Sequence, residues 1–367
     1  MELFPTAKPN LARVKNYQPG KPIEELEREY GVHNVIKMAS NENALGASPK
    51  ALAAVRKALK NIHRYPDGGC FYLRKRLADF LGVDPGNLVF GNGSDELLVF
   101  VVRALVGRGD EVILADPTFL IYEIATQVEN GKLVKVPVRN FQYDLEGMKD
   151  KISPKTKLIF IANPDNPVGT YIPQERLLKF LKAVPREIVV VLDEAYYEFA
   201  KENSDYPDSL EFLGLFPNLV VTRTFSKAYG LSGLRVGYAV ADEKLVNTLN
   251  KVREPFNVNL LAQVAALAAL DDKAHLKKTL QAVRSGRNYL YRELSRLKLE
   301  IVKTATNFAL VDLGRDAKNV YETLLKAGVI VRPMGAWGLK SFIRVTIGKK
   351  QENERFIRAL KKALMQN

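Results

Sequence analysis

Cysteine is almost absent from this 367-residue chain, with Cys70 the only one. An internal disulfide is therefore excluded, and the composition fits a reducing compartment. Histidine is nearly as scarce: His33, His63 and His275 are too scattered to suggest a metal centre, and no metal is expected. No apolar run reaches the ~20 residues that a spanning helix requires, so no membrane partner is expected. The opening residues Met1-Glu2-Leu3-Phe4-Pro5 lack a signal-peptide pattern. A cytoplasmic location is the expectation. Internal repeats and low-complexity stretches are also missing.

Positive charge is plentiful. The 55 basic residues outnumber the 41 acidic ones, for a formal net charge of +14. That balance invites a nucleic-acid reading, yet the lysines are spread along the chain and no zinc-finger, basic-zipper or RNA-recognition signature occurs. No nucleic-acid partner is expected. A basic surface also suits collection of a dianionic small molecule, and lysine-rich composition is equally what a thermophilic source produces.

A hydrophobic content of 47% can bury a large core, and the length suggests two domains. From about residue 46, helix signals alternate with short apolar strands near 88–90, 111–115, 132–138, 157–162, 187–192, 219–224 and 235–240. Ser48-Pro49 reads as cap and first turn of one such helix, Ala51 to Leu59 as its body. The alternation predicts an α/β fold: a large domain with a mostly parallel seven-stranded sheet wrapped by helices. Residues 46–255 are assigned to it. Residues 1–45 and 256–367 are assigned to a smaller α/β domain, with the first 45 residues irregular and packed upon it. After Asn259 a long helical region is expected to turn Leu260, Val264, Leu267 and Leu270 inward.

The chemistry is most legible at Thr224-Phe225-Ser226-Lys227-Ala228-Tyr229-Gly230-Leu231-Ser232-Gly233-Leu234-Arg235. An apolar run ends in hydroxyl residues, then a lysine, then a Gly/Ser-rich loop closed by an arginine. An amine flanked by anion binders suits a Schiff base with pyridoxal phosphate. Most lysines are solvated surface charges, so the cofactor's other needs must be met elsewhere. The buried run Ile188 to Leu192 ends in Asp193-Glu194-Ala195-Tyr196, which places a carboxylate where open α/β sheets bind ligands. Asp193 there can hold a pyridine nitrogen protonated, or simply cap a helix. Leu158 to Ala162 leads into Asn163-Pro164-Asp165-Asn166-Pro167-Val168-Gly169. Asn166 can donate to a phenolic oxygen, although the same residues also make an ordinary turn.

Phosphate needs a cradle. Val89-Phe90-Gly91-Asn92-Gly93-Ser94-Asp95-Glu96 runs from a strand into a helix opening near Ser94, whose buried face is marked by Leu97, Leu98, Val101, Val102 and Leu105. Free N–H groups at that helix start bind phosphate, unless Ser94 is only an N-cap. Arg235, Thr224 and Ser226 would complete the cradle with charge-assisted bonds. Phe119 follows a strand and either stacks on the cofactor ring or packs in the core.

Taken together, Gly93 to Glu96, Asn163 to Gly169, Asp193 to Tyr196 and Ser226-Lys227 to Arg235 resemble the fold-type I pyridoxal-phosphate aminotransferases. The likeness runs nearly end to end. Pro19 to Glu25, Ser40 to Asn43, Arg64 to Gly68, Arg253 to Asn259, Thr306 to Phe308, Val331 to Gly335 and Ile343 to Gly348 resemble the histidinol-phosphate aminotransferase branch in particular. Departures are small: Val168 stands where threonine is usual, Phe119 where tyrosine is frequent, and Ala44 where proline is common.

The resemblance implies a cofactor, pyridoxal 5′-phosphate, and a set of roles. Lys227, Asp193 and Tyr196 would be catalytic. Ser94, Asp95, Phe119, Asn166, Thr224, Ser226 and Arg235 would hold the cofactor, together with Tyr65 reaching the phosphate of a partner subunit. Arg344 would be the guanidinium fork for carboxylate or phosphate ester, with Arg332, Tyr17 and Asn43 also on the substrate, Tyr17 acting across the same subunit interface. The expected reaction interconverts L-histidinol phosphate and 2-oxoglutarate with imidazole-acetol phosphate and L-glutamate, in histidine biosynthesis, by a homodimer. Three other readings share the motifs: an aromatic or broad-specificity aminotransferase, a threonine-phosphate decarboxylase-like enzyme, and a non-catalytic binding protein.

Overall fold

The structure is a computed structural model that describes residues 3–366. Met1 and Glu2, which open the segment read for a leader, and Asn367 lie outside the described residues. No helix among the described residues is long and apolar enough to cross a membrane.

Seven strands build the main sheet: β1 Leu88–Gly91, β2 Glu111–Asp116, β3 Lys132–Pro137, β4 Thr156–Ala162, β5 Val189–Asp193, β6 Leu219–Thr224 and β7 Gly237–Ala241. They lie in the order β1-β7-β6-β5-β4-β2-β3 and are parallel except for β7, which opposes both its neighbours. The fold class is the α/β arrangement that the strand–helix alternation predicts. The central strands read as continuous apolar runs because each face is covered. Along β4 and β5, Leu158, Phe160, Val189 and Val191 enter one buried cluster while Ile159, Ile161, Val190 and Leu192 enter another. That is the period of two of an extended chain, with both sides dry. Each such side chain contributes roughly 1.5–3 kcal/mol on burial, and a charge at Val190 would break the layer.

A second, antiparallel sheet joins β8 Glu300–Val302, β9 Phe308–Asp312, β10 Arg332–Pro333 and β11 Phe342–Thr346 in the order β10-β11-β9-β8. The N-terminal segment is less irregular than the sequence implies. It forms a helix, Ile23–Tyr30, ended by Gly31 in the left-handed region, and Ile36–Lys37 pairs in parallel with Val329–Ile330.

Five helices bear on the site: α1 Pro49–Ala58, α2 Phe71–Leu81, α3 Ser94–Leu105, α4 Leu260–Leu270 and α5 Lys273–Arg296. The first starts as predicted, with Pro49 in its first turn and Ser48 Oγ accepting from the Ala51 N–H at 3.0 Å. In α4 the expected face is corrected. Ala262, Ala265, Ala266, Ala269 and Leu270 are buried, whereas Leu260, Val264 and Leu267 are only half-buried. The helix packs on α1 and α2, and small side chains at that seam let the axes approach where leucine would hold them apart.

Candidate active site

The carboxyl ends of β1, β2, β4, β5 and β6 open on a cavity of about 370 Å³. This is the edge at which open parallel sheets leave room for ligands. Ser94, Asp95, Phe119, Asn166, Asp193, Tyr196, Thr224, Ser226, Lys227 and Arg235 all line it, as do Tyr17, Arg332 and Arg344. The last two are cross-strand partners on β10 and β11, so the small sheet forms the opposite wall.

Lys227 sits in the turn after β6. Its Nζ donates to the Ser40 carbonyl at 3.4 Å and has no carboxylate in ion-pair range among the described residues. Burial, then the nearby Arg344 guanidinium, lowers its pKa to about 8. An amine so placed is partly neutral near physiological pH, the form that attacks a carbonyl or accepts a proton.

Asp193 ends β5, fully within the protein. Tyr122 donates its hydroxyl to Oδ2 at 2.8 Å, and Oδ1 accepts from the Ala195 N–H at 3.2 Å and Thr222 Oγ1 at 3.3 Å. Burial raises its pKa to about 6 despite these donors. No cation among the described residues pairs with it. A buried acid with no counter-charge, facing a cavity, is arranged to receive a proton or a cationic N–H from a ligand.

Tyr196 receives a hydrogen bond from Asn41 Nδ2 at 2.9 Å, and burial pushes its pKa up to about 12. Asn41 takes a positive φ of 57° and is locked by Thr346 Oγ1, which accepts its N–H at 2.9 Å, and by Asn307 Nδ2, which donates to its carbonyl at 2.9 Å. Asn166 accepts at Oδ1 from Arg344 Nη1, leaving its amide nitrogen for a ligand. The Arg344 guanidinium also donates from Nη2 to the Ala39 carbonyl at 3.0 Å, lies 5.1 Å from the Phe308 ring centroid, and keeps Nε without a partner. Burial lowers its proton affinity, and no carboxylate pairs with it among the described residues. A guanidinium so placed can take an anion in bidentate fashion. Arg332 donates to the Gln18 carbonyl at 2.6 Å and stands 5.2 Å from the Trp337 ring centroid.

At the other end, α3 begins at Ser94 with Gly93 as its N-cap residue, so Ser94 occupies the first turn instead of capping it. Gly93 has φ +86°, and a Cβ there would come 2.3 Å from Arg235 Nη2. The absent side chain is what lets the guanidinium lie over the helix start. Arg235 itself contacts Asp95 at 3.3 Å, a half-exposed pair that an anion can displace or share. Thr224 Oγ1 lies 3.0 Å from Ser226 Oγ and accepts the Ser226 N–H at 3.1 Å. Orphan N–H groups, two hydroxyls and a guanidinium thus converge on one spot.

One expected site residue, Asn43, is elsewhere, and Tyr65 lies on the surface, where a role in a partner's site requires it. Asn43 does not reach the cavity: its amide donates to the Ala228 carbonyl at 3.0 Å and Thr279 Oγ1 at 3.1 Å, and Oδ1 accepts from the Leu45 N–H. It ties the N-terminal segment to α5. Tyr65 is 83% exposed and stacks on Phe256 at 4.9 Å, outside the cavity of its own chain. Tyr17 differs from expectation in another way, lining the cavity of its own chain. Sequence reasoning missed Asn41, Tyr122 and Trp337. Asn41 lay within a motif already singled out, and Trp337 is the chain's only tryptophan, but nothing local marks Tyr122.

Comparison with known proteins agrees with this architecture. The family model for aminotransferase class I and II matches residues 33–360. The chain belongs to that family. This aminotransferase is 50% identical over 361 residues to the histidinol-phosphate aminotransferase of Moorella thermoacetica, covering 98% of this chain and 93% of the relative. It is 47% identical to histidinol-phosphate aminotransferase 2 of Carboxydothermus hydrogenoformans, covering 96% and 98%. Among solved structures, histidinol-phosphate aminotransferase from Sinorhizobium meliloti in complex with pyridoxal-5′-phosphate superposes with a TM-score of 0.92 at 31% identity, covering 99% of each chain.

Proposed function

We propose that this aminotransferase is a pyridoxal-phosphate-dependent transaminase. It exchanges the amino group between L-histidinol phosphate and 2-oxoglutarate, giving imidazole-acetol phosphate and L-glutamate, the histidine-biosynthetic reaction. The observation that carries it is the pairing, in one cavity, of a half-buried lysine without a carboxylate and a buried arginine without one. The relatives' names supply the substrate.

The residues fit the cofactor. Asp193 lacks a cation, Lys227 lacks an acid, and the Gly93–Arg235 cradle has the space and charge for a phosphate. Bound there, pyridoxal phosphate would supply an aldehyde and a protonated ring able to take up electrons from the substrate's Cα. Lys227 would hold it covalently through Nζ and, when free, would move the Cα proton. Asp193 would keep a proton on the ring nitrogen. Asn166 and Tyr196 would bind the phenolic oxygen, Phe119 would cover the ring, and Ser94, Thr224, Ser226, Arg235 and the Asp95 backbone N–H would hold the phosphate. Arg344 binds the substrate's carboxylate or phosphate ester as a fork, with Arg332 and Tyr17 beside it.

Two units support this chemistry: a large one over residues 46–255, which α4 joins by packing on α1 and α2, and a small one over 1–45 and the rest of 256–367. The working form is a homodimer in the cytoplasm. Exposed apolar side chains at Leu59, Ile62, Tyr65, Phe71, Tyr72 and Phe256 support such a face. Tyr65 then serves the partner's cofactor.

A half-reaction tests the substrate. The yellow protein is mixed separately with histidinol phosphate, glutamate, phenylalanine and phosphothreonine. Conversion to the pyridoxamine form by the first two, and poorly by phenylalanine, is expected. Efficient reaction with phenylalanine would favour the aromatic enzyme, and carbon dioxide from phosphothreonine the decarboxylase. Cofactor binding with no half-reaction on any amine would mean a binding protein.

A further inference from the structure

Asp165 is a buried carboxylate that lies behind the cavity wall, not in it. Its Oδ1 accepts from Thr118 Oγ1 at 2.9 Å and from the Tyr143 hydroxyl at 3.0 Å, and its Oδ2 accepts from the Val168 N–H at 3.1 Å. No cation pairs with it among the described residues. Burial raises its pKa to about 6, against the pull of these donors.

The donors come from three separate segments; two of them carry part of the cavity, at Phe119 and Asn166, and the third, at Tyr143, braces β4 behind it. Thr118 precedes Phe119, and its carbonyl accepts from Trp337 Nε1 at 2.9 Å. Tyr143 takes the Ala162 N–H at 3.1 Å, which fixes it to the end of β4. Val168 belongs to the loop of Asn166, further closed by Asp165 N–H to the Thr170 carbonyl at 2.8 Å and Gly169 N–H to the Asp165 carbonyl at 2.9 Å. An ionised carboxylate accepts on both oxygens and donates on neither, so it can take all three converging donors at once. Leaving a charge in such a place costs free energy, which a loop needing only closure would avoid.

We propose that Asp165 is a positioning residue that clamps the Phe119 loop to the Asn166 loop, fixing the ring-covering and phenolic-oxygen contacts relative to each other. This rests on the pyridoxal-phosphate reading of the cavity. Asparagine is a weaker replacement. Its amide offers one acceptor oxygen and two N–H donors, so either the Val168 N–H loses its acceptor or the Thr118 and Tyr143 hydroxyls must turn from donors into acceptors, and the charge-assisted bonds are lost either way.

The test uses the full-length protein with Asp165→Asn and, as a milder variant, Tyr143→Phe. In the cofactor-free proteins, backbone hydrogen exchange is followed over residues 116–120 and 163–170. In the loaded proteins, cofactor affinity, the absorption maximum and the split between kcat and KM are measured. Asp165→Asn is expected to speed exchange in both segments, weaken cofactor binding about tenfold, shift the absorption and lower kcat more than it raises KM. Tyr143→Phe should move each in the same direction by less. Wild-type affinity and spectrum in Asp165→Asn, or faster exchange confined to 163–170, would overturn the clamp. Should that variant fail to fold, wild-type exchange and spectrum in Tyr143→Phe would overturn it instead. A wild-type protein that takes up no pyridoxal phosphate defeats the cofactor reading, while the exchange comparison still decides whether the two loops are coupled.

Discussion

Tyr122 donates its phenolic hydrogen to Oδ2 of Asp193 across 2.8 Å, though the two stand 71 positions apart in the chain. Both are buried, and Tyr122 is itself packed flat on Phe160, 4.5 Å between ring centroids. The carboxylate is thereby aimed, with one oxygen engaged by the phenol.

Removing that hydroxyl should loosen the cofactor. Tyr122→Phe preserves the stacking and deletes one bond to a charged group, worth ~1.5–3 kcal/mol. Cofactor dissociation should quicken by about tenfold or more, read as loss of absorbance on dilution. An unchanged dissociation rate would mean that Asp193 is held well enough by Thr222 and Ala195.

Asp193 should destabilise the cofactor-free protein. Its folded pKa is about 6, against ~3.9 in an unfolded chain. The folded state therefore binds this proton more tightly, so the stability contributed by Asp193 is fully present below about pH 4 and is lost as pH rises through about 6. The loss is on the order of 2–3 kcal/mol and persists above that window. Asp193→Asn should thus raise urea resistance of the cofactor-free protein at pH 7, match wild type near pH 4, and abolish transamination. A variant less stable than wild type at pH 7 would refute this.

Arg344 is expected to act on both a ligand and its neighbour Lys227. Arg344→Lys keeps the charge but loses the fork, and KM for glutamate and histidinol phosphate should each rise by about 10- to 100-fold. Arg344→Leu removes the charge that helps hold the Lys227 pKa near 8. Reconstitution with pyridoxal phosphate, which needs the neutral amine, should then rise with pH through a higher midpoint than in wild type. A midpoint common to both would show that burial alone sets the lysine.

Gly93→Ala tests the cradle. The added Cβ meets Arg235 Nη2 at 2.3 Å and sits on a backbone with φ +86°. Arg235 must move, and cofactor affinity should fall at least about tenfold with loss of a charge-assisted bond. Inorganic phosphate should protect the cofactor-free wild type against thermal unfolding and the variant less. Equal protection would place the phosphate elsewhere.

Much was legible in the chain itself. Continuous, mostly β-branched runs such as Val189 to Leu192 read as strands covered on both faces, and their alternation with helix signals points to a parallel sheet. A residue that follows such a strand must stand at its carboxyl end, which is why Asp193, Asn166 and Lys227 were identifiable as neighbours before any coordinates. Contacts between distant segments were not legible. Asn43 and Asn41 are chemically alike and two residues apart, yet one ties the N-terminal segment to α5 and the other grips Tyr196; the backbone at Asn41 decides this. On α4 only Leu270 of the expected inward residues is buried, because large apolar side chains read as more buried than alanine until a second helix presses close. Hydrophobic period and strand-end position are properties of a segment, and the sequence determines them. The aim of a buried polar group depends on which donors the fold brings within 3 Å, so Tyr122 on Asp193 and three donors on Asp165 were decided only by the tertiary structure.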